Sequence, residues 1–209
     1  MSDESARPIR DACDRVFGLW KQRAYDDAGA LAWRILPAAA DGARVAAVQL
    51  GQALADPSRI SGEIVFDLFE ATIKATDDLR FALFVNMGCL QMLRLRTDPA
   101  RSKEAPPSIA TVNAAALFRL ADAEIEVRSE EAAKALYYER SAAICRMLQG
   151  CAAKVHETWH AHTTAQSRDF SALGRLCEVA AEDTYQWAIT LRVAHRVFTP
   201  AMLRRSIGS

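Results

Sequence analysis

The chain has 209 residues, 51% of them apolar, and its 26 Lys and Arg residues balance its 26 Asp and Glu residues. A chain of this size buries a core without metal or disulfide staples, and a net charge of zero gives no field that would favour nucleic acid or an anionic membrane as partner. The five cysteines form no C-x-x-C pair and are odd in number, which fits reduced, buried thiols in a cytoplasmic, bacterial-type protein better than a disulfide framework.

The polar N-terminal residues do not read as a signal peptide, and the longest nearly uncharged run, residues 81–93, is too short to span a bilayer. Apolar residues recur at spacings of three and four almost throughout, and β-branched alternation is nearly absent. The expected fold is therefore all-α, an irregular bundle of about eight helices joined by short turns.

The first helix is expected over residues 9–24, with Ala12, Cys13, Val16, Phe17 and Trp20 inward. Asp26 or Asp27 can cap a second, which reaches Trp33 and Leu36 and ends near Pro37. A third lies between Gly42 and Ala55. Ser61 can open a fourth through Ile64, Leu68 and Ile73, and Asp77 or Asp78 a fifth through Phe84 to Leu95. Residues 98–108, with Pro99, Pro106 and Pro107, read as an extended surface loop. This loop separates an N-terminal helical half, residues 1–97, from a C-terminal half, residues 109–209, the two together forming one domain. The second half contains three longer helices. One runs from Ser108 through Leu117 and Ile125, and one from Ser129 through Tyr137, Leu148, Val155 and Trp159. The last starts at Ser167 or Asp169, passes Leu173, Val179 and Leu191, and ends before Thr199-Pro200.

Gly18-Leu19-Trp20, followed by Tyr25-Asp26-Asp27-Ala28 and Leu36-Pro37, resembles one tetratricopeptide hairpin, in which Tyr and Ala pack between paired helices and Pro ends the second. The match covers one unit and has no second copy at the repeat period, so tetratricopeptide-like hairpins are the minority architecture beside an irregular bundle.

Residues 156–160 read His-Glu-Thr-Trp-His, an H-E-x-x-H string. On a helix, His156 and His160 project from one face a turn apart, as two zinc-ligating imidazoles must, and Glu157 stands beside them as a potential base for a metal-bound water. Glu178 on the following helix is the candidate third ligand, with Glu182 and Asp183 a turn later; His162 and His195 are other candidates. The set resembles gluzincin-type metallopeptidases, where a Glu on a later helix completes the site. That resemblance implies a zinc-dependent hydrolase with His156, His160 and Glu178 on the metal and Glu157 as catalytic base. The string departs from that pattern at Thr158 and His162, and no strand precedes it to hold a substrate. Glu157-x-x-His160 also resembles half of a carboxylate-bridged di-iron motif, whose second Glu-x-x-His is absent. The structural alternative sets both histidines on the shoulder of the stripe made by Val155 and Trp159, near a helix end where the dipole favours cations.

Cys151 or Cys177 with His156 could assemble a nucleophile only against apolar surroundings that raise the thiol pKa. Arg192, Arg196, Arg204 and Arg205 make the last helix locally basic, and no Gly-rich phosphate loop is present. Consecutive Tyr137 and Tyr138 stand about 100° apart on a helix and cannot both face one core, so one is a candidate for a partner surface. The expected function is non-catalytic protein–protein binding by an adaptor, regulator or accessory subunit, with a protein partner or a second copy of itself. No nucleic acid, membrane or cofactor is expected; the alternative is the zinc hydrolase.

Overall fold

The helical period is realised in the computed structural model, which describes residues 7–55, 61–97, 130–164 and 171–207. The described residues form five helices: α1 (Arg7–Lys21), α2 (Tyr25–Ala55), α3 (Gly62–Thr97), α4 (Glu130–Thr164) and α5 (Ser171–Ile207). No strand occurs among them, and no helix is long and apolar enough to cross a membrane.

The count of about eight is corrected to five among the described residues, and the reason is continuity. The second and third expected helices are one, α2, which runs through Pro37, and the fourth and fifth are one, α3, which runs through Asp77 and Asp78. The expected proline loop and the helix after Ser108 lie outside the described residues. At its other end, α5 passes Thr199-Pro200 and reaches Ile207.

α2 and α3 are the central pair. α2 packs on α1, α3 and α4, and α3 packs in turn on α5. Ala28, Ala32, Ala39, Ala40, Ala43 and Ala47 of α2 are all buried, and such small side chains let neighbouring helices approach closely. Leu36 and Leu50 of α2 join Phe69, Leu79 and Leu83 of α3, Leu148 and Val155 of α4, and Leu173 and Leu191 of α5 in the same core. α1 reaches α3 through Trp20. Its ring occupies the place of a side chain at Gly88, where any Cβ would collide with the indole.

Helix ends follow local chemistry. The Ser61 hydroxyl accepts from the Ile64 N–H at 3.4 Å and starts α3 as expected. α2 starts differently from expectation: the carbonyl of Ala24 accepts from Ala28, while Asp26 and Asp27 lie within the first turn, where they complement the helix dipole. α1 closes with paired bonds, Ala24 N–H to Leu19 O and Arg23 N–H to Trp20 O, both 2.9 Å. This double bond requires a left-handed residue, and Arg23 takes it at φ 62°, a place usually given to glycine.

Pro37 explains why α2 continues. A proline inside a helix has no N–H for the carbonyl four residues earlier, here Trp33 O. The indole Nε1 of Trp159 on α4 donates to that carbonyl at 3.0 Å, with the two indoles 6.1 Å apart. One residue away, Nδ2 of buried Asn86 on α3 donates to Ala32 O at 2.7 Å and to Ala82 O at 2.8 Å. The acceptor that should have ended the helix instead ties α4 to it. The tetratricopeptide resemblance fails at the same point, since its second helix would end at Pro37 and α2 goes on to Ala55.

Removing the indole N–H while keeping an aromatic ring isolates this bond. Trp159→Phe is expected to lower unfolding free energy by about 1–2 kcal/mol. In a Pro37→Ala background, where α2 supplies its own N–H, the same change costs clearly less; a double-mutant cycle by urea denaturation measures the coupling.

Candidate functional site

The roll of α4 is set by two residues around the His-Glu-Thr-Trp-His string. Val155 is fully buried, and Trp159 is half-buried and bonded to α2. The remaining azimuths face outward, so His156, Glu157 and His160 are exposed. The His156 ring lies 6.2 Å from that of Trp159, and Glu157 pairs with Lys154 of the preceding turn at 3.5 Å, both side chains being more than 60% exposed. The His160 carbonyl accepts from Thr163 at 2.8 Å near the helix end.

Glu178 is exposed on α5, and Glu182, also exposed, accepts from Gln186 at 3.2 Å. Among the described residues no three His, Cys, Asp or Glu side chains gather to hold a metal ion, so His156, His160 and Glu178 do not meet at one point. His195 sits elsewhere, on the seam between α3 and α5. Its ring is 4.0 Å from that of Phe66, and its Nε2 is 3.9 Å from Glu70. The side chain of His162 lies outside the described residues.

All five cysteines are free. Burial pushes Cys13, Cys89 and Cys151 up to about 11, and Cys145 and Cys177 up to about 12. Near neutrality they are thiols rather than thiolates, so none is primed as a nucleophile. Tyr137 is buried, while Tyr138 is half-buried against the same core.

A cleft of about 790 Å³ lies elsewhere, where α1, α3 and α5 meet. α1 contributes Arg10 and Asp11, and α3 contributes Glu70, Ile73, Lys74, Asp77 and Asp78. From α5 come Arg192, His195 and Arg196. Its Arg and Lys residues, Arg10, Lys74, Arg192 and Arg196, equal in number Asp11, Glu70, Asp77 and Asp78, so the walls are strongly charged with no net sign.

These walls are braced. Asp77 of α3 forms an ion pair with Arg192 of α5 and is only 20% exposed; its second carboxylate oxygen is buried with no hydrogen-bond donor among the described residues. Arg10 stacks 3.8 Å over Phe81, and Arg80 lies 4.9 Å from the Tyr185 ring, which joins α3 to α5 by a cation–π contact. Burial pushes the Asp78 carboxyl up from 3.8; Lys74 opposes this, Asp77 adds to it and Arg10 opposes it. Burial also lowers the pKa of His195, with Glu70 acting against the shift. The arrangement sets opposite charges against one another on three packed helices.

The sequence reading passed over this cleft because each of its charges looks like an ordinary solvated helix face. One signal was available: both signs recur at three- and four-residue spacing over Glu70, Lys74, Asp77 and Asp78, while the last helix is locally basic at Arg192 and Arg196. Comparison with protein-family models, curated proteins and solved structures finds no match to this chain.

The raised pKa of Asp78 has a definite sign for stability. A carboxyl easier to protonate when folded destabilises the fold once ionised; that cost is absent below the ordinary value of 3.8 and complete above the raised one. Asp78→Asn is therefore expected to stabilise the protein near neutral pH, by less than about 1 kcal/mol because the group is partly in solvent. The gain should disappear in acid, as read from denaturant midpoints across pH.

Proposed function

We propose that the protein works by binding another protein in the charged cleft, as an adaptor, regulator or accessory subunit, and catalyses no reaction itself. The observation that carries this reading is a braced cleft with opposed walls that bear both signs of charge. Such a surface steers encounter and rejects wrongly charged partners more than it adds affinity, which suits selective recognition. The ion pair and the cation–π contacts hold the walls before any partner arrives, which lowers the ordering cost of binding. A cytoplasmic setting belongs to this proposal, and Tyr138 is a second place where the partner can touch.

Site-specific photo-crosslinking from Arg196 in cells tests it. One dominant protein adduct is expected, weakened by raised salt and lost in the charge reversal Lys74→Glu, with His156→Ala leaving it intact. An adduct indifferent to Lys74→Glu, or labelling no stronger than from an exposed site on α4, would sink the proposal.

A further inference from the structure

We propose that His156 and His160 form a two-imidazole site for a divalent ion of the zinc type, completed by the same pair from a second copy, so that the metal links two chains. With Val155 buried and the Trp159 indole bonded to Trp33 O, α4 cannot roll, and His156 and His160 are held outward on one ordered helix. Side chains four apart on a helix stand one above the other on one face, the spacing at which two imidazoles grip one metal ion.

Zinc takes four ligands, and among the described residues no third His, Cys, Asp or Glu side chain gathers with this pair. A two-fold axis through the ion presents the same pair twice and fills a tetrahedral set, because an isologous contact matches each residue to its own copy. The surface permits the approach. Gly150 and Ala153, in the turns before His156, are exposed, and a Cβ at Gly150 would meet only open space.

The test adds zinc chloride to the purified, tag-free full chain and follows molar mass by light scattering alongside bound zinc. A doubling of mass with one zinc per two chains is expected, reversed by a chelator and not produced by magnesium. His156→Ala and His160→Ala should each lose the doubling, with zinc binding weakened by at least about tenfold, and the thermal transition of each variant is recorded alongside to establish that it is folded. Zinc taken up with no change in mass, doubling that survives in both variants, or no zinc uptake would each overturn the proposal.

Discussion

The fold depends on one carbonyl. Pro37 leaves Trp33 O without a donor from its own helix, and an acceptor left in that state inside a protein costs about 1–3 kcal/mol. The donor comes from the indole of Trp159, and the neighbouring carbonyl of Ala32 takes a second bond from Asn86. These two bonds tie α4 and α3 to the same turn of α2, and each fixes the register and roll of a long helix. Everything described on those helices inherits its position from this node. That holds for the outward histidines of α4 and for Asp77 and Asp78 of α3, which face α1 and α5.

The rest of the core makes few such demands. Its buried hydroxyls bond mainly to their own helices: Thr76 to Thr72 O, Thr184 to Ala180 O, and Thr72 to Leu68 O with Ala46 O of α2 within 3.2 Å. Alanines fill most of the α2 contact surface. Apolar packing of small side chains is permissive about register, so the few directional contacts between helices, at Pro37, at Thr72 and at the charged seam of α3 and α5, carry most of the specificity.

Much of this was legible in the sequence, and the misses have a common cause. The all-α class, the start of α3 at Ser61 and the inward positions of Leu148, Val155 and Leu191 follow from local patterns that need no partner. The continuity of α2 does not, since Pro37 reads as a stop unless a donor arrives from elsewhere, and that donor is 126 positions away. The H-E-x-x-H string was placed on the right element, but its meaning turned on the residue that a motif search ignores: Trp159 decides the face, and the histidines take what remains. The charged cleft is only faintly signalled in the sequence for the same reason, being assembled from three helices whose charges come together only in the fold.

The three fully buried thiols have an experimental consequence. Cys13, Cys145 and Cys177 lie on α1, α4 and α5, and each is shielded while its helix is seated, whereas Cys89 and Cys151 are only half-buried. A thiol reagent therefore meets Cys13, Cys145 or Cys177 only when the segment around it opens, and at different moments if the helices leave separately. The chain carries its own set of local clocks, from which the order in which the bundle comes apart can be timed without an introduced probe.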